Sequence, residues 1–369
     1  MSERSSEAAG LVAGLVGDQA GDWDRAGRIP EELVRQLGGK GVLCAQVPAE
    51  YGGMGLSAEE NGELTASVGS LCSSLRSLMT SHGMAAWAVQ RFGSREQRDS
   101  YLPRLTSGSL AAVSFSEREA GSDLSAMGTR IALDGDTVVV TGAKIWVTGA
   151  DYADLIAVFG RYGDGAAVVL VPTTAPGVTV RRVEAPMGCR AAGHADVTLE
   201  DVRLPADALL GGAGLPIDWL VTSALTYGRL SVAWGCVGIL RACLKATTRH
   251  ARERRQFGKP LVEHQLVGRH LAELLVAEQA AAQACLHASR CWDENSPELV
   301  TAAVVAKHLA AGNATTGARS AVQLLGAAGA QDGHPVARAY RDAKLMEIIE
   351  GSNEICQLLL ADRALAVWA

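Results

Sequence analysis

The sequence predicts an α+β protein built from a helical segment, a β segment and a second helical segment, in that order. Apolar residues recur with helical spacing over residues 1–110, follow strand-like patterns over 111–214, and return to helical spacing over 215–369. The 369 residues, 48% of them hydrophobic, are enough for two or three domains with separate cores. We therefore expect three domains with boundaries near residues 110 and 214.

The N-terminal segment is predicted to be all-helical. In PEELVRQLGGKGVL the helical spacing starts after Pro30, which suits a first helical turn, and stops at the pair Gly38–Gly39. The stretch SSLRSLMTSHGMAAWAVQRFG also has helical spacing, with Leu75 and Trp87 on or near one face. The glycine-rich EYGGMGLS between them is predicted to be a loop.

The middle segment is predicted to be an antiparallel sheet. Asp134-Gly135 and Asp164-Gly165 each lie between strand-like runs, and this dipeptide is a strong indicator of a hairpin. The residues alone leave open whether the sheet forms a barrel or a sandwich.

The C-terminal segment is predicted to be a four-helix bundle. Four long alanine-rich runs with short connections are typical of that architecture. The first run, RLSVAWGCVGILRACLKATTRHARERR, places the following side chains on one face: Ala233, Cys236, Val237, Leu240 and Leu244.

The charge balance and the chain start restrict the expected partners and location. A net charge of −6 and a pI near 5.8 do not suit a nucleic-acid-binding surface, which needs a basic stripe. The N-terminus has no basic leader, and Asp18, Asp22 and Asp24 follow its short apolar patch. We expect no segment long enough to span a membrane and therefore a soluble, cytoplasmic protein.

The cysteines are predicted to be reduced core residues. The eight cysteines form no C-x-x-C pair, and no histidine or cysteine cluster has zinc spacing, so we expect neither disulfides nor a metal site.

The stretch IIEGSNEI contains the most unusual carboxylate of the sequence, Glu350. Two isoleucines precede it, and Gly351 and Ser352 follow and interrupt the helical spacing. A carboxylate at such a helix end can face an apolar cavity, where lost hydration raises its pKa toward that of a useful general base. On these residues alone, a solvated glutamate at the polar side of a helix end is an open alternative.

Four stretches together resemble the acyl-CoA dehydrogenase family, whose members bind FAD. They are SFSEREAGSDLSA at 114–126, GAKIWVTGA at 142–150, RERRQFGKPLVEHQ at 252–265 and RDAKLMEIIEGSNEI at 341–355. Each stretch alone is weakly specific, but the four occur in the family's order and at its distances. The resemblance covers nearly the whole chain and implies a helical domain, a β-barrel domain and a C-terminal four-helix bundle.

The resemblance implies that the first two stretches contact the flavin. Phe115 and Ser116 would lie at the flavin ring, Gly121 would allow close backbone approach, and Ser122 would lie toward the pyrophosphate and the pantetheine arm of the substrate. An ordinary Asx-turn is the alternative for this stretch. Arg118 stands where the family usually has proline, and we assign it to the substrate entrance.

In the second stretch, Trp146 and Thr148 are predicted to alternate on one face of a strand, where they would form the flavin wall. A core tryptophan is the alternative interpretation of Trp146.

The third stretch is expected to serve an FAD bound mainly to a neighbouring subunit, so the resemblance implies a homodimer or homotetramer. Arg254 would meet the pyrophosphate, since a guanidinium can bond two oxygens at once. Phe257 would pack by the adenosine portion, and Gln256 would contact the same cofactor. Gln323 and Gly326 would make further contacts to the same dinucleotide. A Rossmann unit is not expected, because no strand is followed by G-x-G-x-x-G and a helix.

For the fourth stretch the resemblance implies catalysis by Glu350. It would remove the proton α to a thioester carbonyl, whose oxygen would be held by the Glu350 N–H and a flavin ribityl hydroxyl. One branch of the family carries its base on the long helix, at the position of Gly228 here, which cannot serve. The remaining residues expected near substrate or cofactor are Arg229, Gly351, Ser352 and Glu354.

The implied function is FAD-dependent oxidation of the α,β bond of a short acyl thioester, with an electron-acceptor flavoprotein or oxygen as acceptor. The chain resembles the branch of polyketide extender-unit pathways that make hydroxymalonyl- or methoxymalonyl-type units, so the substrate carrier is either CoA or an acyl carrier protein. The alternatives are an oxygen-using flavin oxidase or monooxygenase on the same fold, and a non-catalytic flavin-binding scaffold, against which Glu350 argues.

Overall fold

The computed structural model describes residues 2–212 and 214–368, and its N-terminal part is helical as predicted. Its α-helices are α1 Glu3–Val16, α2 Ala20–Ala26, α3 Glu31–Gly38, α4 Ala58–Leu71, α5 Ser73–Phe92 and α6 Arg95–Thr106. Capping boxes at Ser57 and Ser94 start α4 and α6, because each serine hydroxyl and the residue three positions later satisfy backbone N–H groups that the helix leaves free.

The middle part is a curled seven-stranded sheet. The strands are β1 Ala111–Ser114, β2 Arg130–Asp134, β3 Thr137–Val147, β4 Leu155–Tyr162, β5 Gly165–Pro172, β6 Val178–Arg182 and β7 Ala195–Pro205. The predicted hairpins are confirmed: β2 pairs with β3 and β4 with β5, with Gly135 and Gly163 at positive φ in the turns. The sheet surrounds its own core of valine, alanine and isoleucine side chains.

The sheet is mixed rather than purely antiparallel. Its strand order is β1-β4-β2-β3-β7-β6 with β5 beside β4, and β1 runs parallel to β4. The direction of β1 is not set by a hairpin turn, since two strands separate it from β4 along the chain.

The C-terminal part is the predicted helical bundle, with a short hairpin after its first helix. The elements are α7 Ile217–Glu253, β8 Arg255–Gln256, β9 Lys259–Pro260, α8 Gln265–Asp293, α9 Leu299–Leu325, α10 Pro335–Met346 and α11 Asn353–Trp368. Alanines on α8 and α9 let the helices approach closely around α7. The order of helical, β and helical parts confirms the predicted fold class.

One helix in the described part of the chain, α7, is long and apolar enough by length and composition to cross a membrane. The expectation that no segment reaches that length was therefore wrong. In the structure 72% of the most apolar 18-residue segment of α7 is buried, as is typical of the central helix of a bundle.

Helix α5 connects the three parts and positions the site. On its β-domain side the Ser81 hydroxyl donates to Thr148 O at 2.7 Å and accepts from Val113 N. On its other side Thr80 Oγ1 lies 2.7 Å from Ser231 Oγ on α7. The cysteines are free and buried, in agreement with the sequence.

Candidate active site

Glu350 lies in the sharp connection between α10 and α11. The α10 helix ends at Met346, earlier than its apolar spacing suggested, because Glu350 (φ 57°) and Gly351 (φ 86°) adopt left-handed conformations that a helix cannot contain. A non-glycine residue in this conformation is strained, and such strain often occurs at functional sites. The turn directs the Glu350 carboxylate into the protein.

The Glu350 carboxylate is desolvated and faces α7. Its Oε2 is buried and has no hydrogen-bond partner among the described residues. A Cβ atom added at Gly228 would collide with that oxygen, so the glycine provides the space that the carboxylate fills. Burial raises the pKa of Glu350 to about 7, although Arg229, Lys307 and Arg76 oppose the rise. The solvated alternative therefore does not hold.

Two buried cations fix the turn that carries Glu350. Arg229 Nε donates to Glu350 O at 3.1 Å, and Lys307 Nζ donates to Gly351 O at 2.7 Å. Both side chains are nearly inaccessible to water. Lys307 was not predicted from the sequence; the available indication was a lone lysine on the buried face of an alanine-rich helix.

The β-domain side presents Trp146 and Thr148. Thr148 Oγ1 lies 3.1 Å from His194 Nδ1, and the Trp146 ring lies 5.6 Å from the His194 ring. Burial, with a contribution from Arg76, lowers the pKa of His194 to about 4, so the imidazole is neutral at pH 7. The indole is 49% exposed and therefore available to a planar ligand.

The predicted alternation of Trp146 and Thr148 along a strand was wrong. Trp146 has φ 55°, the register with β7 shifts between Lys144 and Val147, and β3 ends at Val147. This irregularity turns the indole outward while Thr148 remains half-buried beside His194.

The stretch after β1 is held by a buried ion pair that the sequence did not reveal. Lys144 Nζ lies 2.7 Å from Glu117 Oε1 and also donates to Phe115 O at 3.1 Å. Burial lowers the pKa of Lys144 to about 8, and its bond to Glu117 opposes that shift. The Phe115 ring packs on Phe159 with centroids 4.2 Å apart and lies against a core cluster.

Three further predicted residues of this first stretch are exposed to solvent. Arg118, Gly121 and Ser122 are exposed, and Asp123 accepts a bond from Ser125 N at 3.0 Å. The Asx-turn considered as an alternative is thus present next to the predicted contact residues.

The third predicted set lies on the surface of the single chain. Arg254 follows α7 directly, and the turn of the β8–β9 hairpin holds Phe257 (φ 51°) and Gly258 (φ 78°). Phe257 is 94% exposed. Gln323 and Gly326 are exposed at the end of α9.

Within the part of the chain that the structure describes, no hydrogen bond links this third set to Glu350, Trp146 or Thr148. The fourth set is different, because it adjoins Glu350. Ser352 accepts a long bond from Ile355 N at the start of α11, and the Glu354 carboxylate is exposed in the first turn.

These groups fit a flavin dinucleotide. A half-exposed indole beside a neutral imidazole suits a planar ring, and the buried Glu350 Oε2 has no hydrogen-bond partner among the described residues. The exposed Arg254 and Phe257 suit a diphosphate and an adenine, respectively.

A helical domain, a curled sheet and a helical bundle around a desolvated carboxylate define a flavin-dependent oxidoreductase acting on acyl thioesters. Family models match the chain in the same order: acyl-CoA dehydrogenase N-terminal domain over residues 5–109, middle domain over 112–202 and C-terminal domain over 219–365. The chain belongs to the acyl-CoA dehydrogenase family. Its cofactor is FAD, and its reaction is on the CH–CH bond of an acyl thioester.

Individual relatives agree with this assignment. The probable acyl-CoA dehydrogenase YngJ of Bacillus subtilis (strain 168) is 35% identical over 350 residues, which are 93% of this chain and 92% of the relative. FkbI, a structure described as serving biosynthesis of a methoxymalonyl polyketide extender unit, is 59% identical with a TM-score of 0.94 over 97% of this chain and 99% of FkbI. Butyryl-CoA dehydrogenase from Megasphaera elsdenii is 26% identical with a TM-score of 0.94 over 99% of each chain.

Proposed function

We propose that Glu350 is the base of this dehydrogenase and removes the proton α to the thioester carbonyl. The observation that carries the proposal is a buried carboxylate oxygen without a hydrogen-bond partner, on a group whose pKa is about 7. Such a group is ionised in a useful fraction of molecules at neutral pH and holds the proton well once it arrives. Arg229 and Lys307 fix the orientation of the Glu350 carboxylate by donating to the carbonyl oxygens of its turn.

The other predicted residues orient substrate and cofactor in this proposal. The Glu350 N–H holds the thioester oxygen as negative charge develops on it. Ser116, Ser122, Trp146 and Thr148 hold the flavin from the β domain. Bound FAD supplies the acceptor for the hydrogen that leaves the β carbon. The remaining cofactor contacts come from Arg254, Gln256, Phe257, Gln323 and Gly326 of a second copy, and from Gly121, Ser352 and Glu354.

The substrate is proposed to be a small polar acyl group used in polyketide extender-unit supply. The similarity to FkbI over almost the whole of both chains supports this proposal. Arg118 is exposed beside the predicted substrate stretch, where it can contribute to binding of an acyl carrier protein.

Glu350→Gln tests the proposed base. The amide is nearly isosteric and cannot accept the proton, so we expect the yellow flavin complex to form but flavin reduction by a short acyl thioester to be slowed by about 10³-fold or more. The measurement is anaerobic bleaching of flavin absorbance. Asp362→Asn, an exposed position on α11, is the matched control and should bleach at the wild-type rate. Normal bleaching by Glu350→Gln would contradict the assignment.

A further inference from the structure

A cavity of about 100 Å³ lies between α4, α5, α7 and the end of α8. From α7 it is lined by Tyr227, Leu230 and Trp234, whose spacing of three and four residues places them on one face of the helix. Gly228, beside which the Glu350 carboxylate lies, is about 100° further round the same helix. The cavity is therefore separate from the proposed site of proton abstraction.

Asn61 on α4 presents an unpaired acceptor to this cavity. The residue is 8% exposed, and its Oδ1 has no hydrogen-bond partner among the described residues. Such a buried acceptor is costly to leave unpaired. A ligand with an N–H or O–H group would satisfy it.

Neighbouring hydrogen bonds fix which way the Asn61 amide faces. Gln46 Nε2 donates to Gly83 O at 3.2 Å, so Gln46 turns its Oε1 toward the Tyr227 hydroxyl, which donates to it at 3.0 Å. Because the Tyr227 hydroxyl has then used its one proton, it can only accept from Asn61 Nδ2, which lies 3.5 Å away. The Asn61 oxygen is thus the end of the amide that stays free.

Aromatic rings form much of the cavity wall. Four aromatic side chains line it: Trp87, Tyr227, Trp234 and Trp292. The rings of Trp87 and Trp292 lie with their centroids 4.7 Å apart. The indole N–H groups of Trp87 and Trp234 already donate to Ser223 O at 3.1 Å and Ser289 Oγ at 3.0 Å. These two indoles therefore offer a ligand their π systems rather than hydrogen-bond donors.

The charge at the cavity is negative. Asp293, at the end of α8, is the one charged residue among the described residues that line it. Its carboxylate accepts from Ala58 N at 2.7 Å, which holds it beside the start of α4, and it is exposed to solvent. A carboxylate and aromatic π systems both attract a cation, whereas an anion would be repelled.

We propose that this cavity binds the primary ammonium group of a small amine. The ammonium donates to Asn61 Oδ1, the rings of Trp87 and Trp292 and the carboxylate of Asp293 stabilise its charge, and a short alkyl chain contacts the apolar walls. Since a cavity of about 150 Å³ accommodates a six-membered aromatic ring, one of about 100 Å³ suits roughly four heavy atoms. The inference does not depend on the proposed role of Glu350.

The test titrates propylammonium and propan-1-ol into the FAD-loaded enzyme and obtains both dissociation constants by ligand-observed NMR. Propan-1-ol keeps the chain length and a donor but is neutral. We expect propylammonium to bind about 10-fold or more tightly than propan-1-ol, because only the ammonium adds charge to the hydrogen bond and attraction to the rings. Equal affinities would overturn the inference in favour of a hydroxyl site. Absence of saturable propylammonium binding would overturn it in favour of a cavity that holds only water.

Variants of Asn61 place the ammonium in the cavity. Asn61→Leu removes the acceptor at nearly constant volume and should weaken propylammonium binding by about 10- to 100-fold. Asn61→Asp keeps an acceptor and adds negative charge, so it should bind at least as tightly as the wild type. Glu294→Gln, an exposed position outside the cavity, is the matched control and should bind as the wild type does. Unchanged binding by Asn61→Leu would contradict the assignment.

Trp292→Leu tests the aromatic wall separately. Leucine keeps an apolar surface but removes a π system, so propylammonium should bind about 3- to 30-fold more weakly while propan-1-ol binding stays nearly constant. Flavin absorbance and Tm establish that each variant is folded. If Asn61→Leu does not fold, this variant decides the question. An equal loss for both probes would show that Trp292 supplies only contact area and would overturn the cation site.

Discussion

At the scale of single residues, Glu350 destabilises the fold that holds it. Its pKa is about 7 in the folded chain, against an ordinary value of 4.5. The fold therefore favours the protonated carboxyl group, whose contribution is fully present below about pH 4.5 and is lost as pH rises through 7. The difference between the two pKa values corresponds to about 3 kcal/mol.

Glu350→Gln should accordingly stabilise the protein in a pH-dependent way. We expect no gain near pH 4.5 and a gain approaching about 3 kcal/mol above pH 7, because the amide never becomes charged. Thermal unfolding followed between pH 4.5 and 8 gives the Tm difference between variant and wild type. The exposed Asp362→Asn control should show a constant difference. A gain that does not change with pH would show that desolvation of Glu350 is not its origin.

The sequence indicated which residues were unusual but not which charged residues are buried with them. Glu350 could be singled out because it lies in a stretch that resembles a family motif. Gly228 could be singled out because one branch of the family carries its base at that position. Arg76, Lys307 and the Glu117–Lys144 pair could not, since a charged side chain in a helix or strand pattern is ordinarily solvated. Their burial depends on contacts between α5, α7, α9 and the sheet, which are distant in sequence.

At the scale of elements, the β8–β9 hairpin presents its predicted cofactor-binding side chains outward. Its two-residue turn has positive φ at Phe257 and Gly258, which gives the hairpin a tight and well-defined shape. Phe257 at the tip is 94% exposed, an unusual position for an aromatic ring in an isolated chain. We expect this ring and Arg254 to be covered by a cofactor bound to another copy.

Arg254→Ala should weaken FAD binding by about 10- to 100-fold through loss of a charge-assisted bond to the diphosphate. Flavin titration measures the loss, and light scattering measures assembly. Arg252→Ala is the control, since that exposed arginine still belongs to α7. If Arg254 acts across subunits, cofactor loss and assembly loss should occur together. A stable monomer with full FAD occupancy would contradict a shared site.

The sequence predicted the elements well and their local irregularities poorly. The Asp-Gly turns were confirmed because the turn conformation depends on adjacent residues. The bulge at Trp146 and the parallel β1–β4 pair depend on partners far along the chain, so neither could be inferred from local patterns.

At the scale of the whole molecule, the charge distribution affects which carrier can deliver the acyl group. The chain is acidic overall, with a net charge of −6, so an acidic carrier protein needs a local basic patch at the substrate entrance. Arg118 is our candidate for part of that patch.

We expect an acyl carrier protein thioester to reduce the flavin faster than the same acyl group on CoA, and added salt to narrow the gap. Stopped-flow bleaching at low and high ionic strength is the measurement. Arg118→Ala should lower the rate with the carrier protein alone, whereas Arg95→Ala, an exposed arginine on α6, should not. Equal rates at low salt, or a preference for CoA, would assign the enzyme to CoA thioesters.

The space at Gly228 also constrains how this enzyme can evolve. Any side chain at that position would occupy the volume of the Glu350 carboxylate, so the two positions are energetically coupled. Moving the proposed base from the turn to α7 therefore requires two substitutions. If Glu350 is replaced first, the intermediate protein has no base. If Gly228 is replaced first by an acidic residue, two carboxylates must share a space that accommodates one. Such epistasis makes each arrangement an evolutionary dead end for single mutations, even though the two bases would serve the same α carbon.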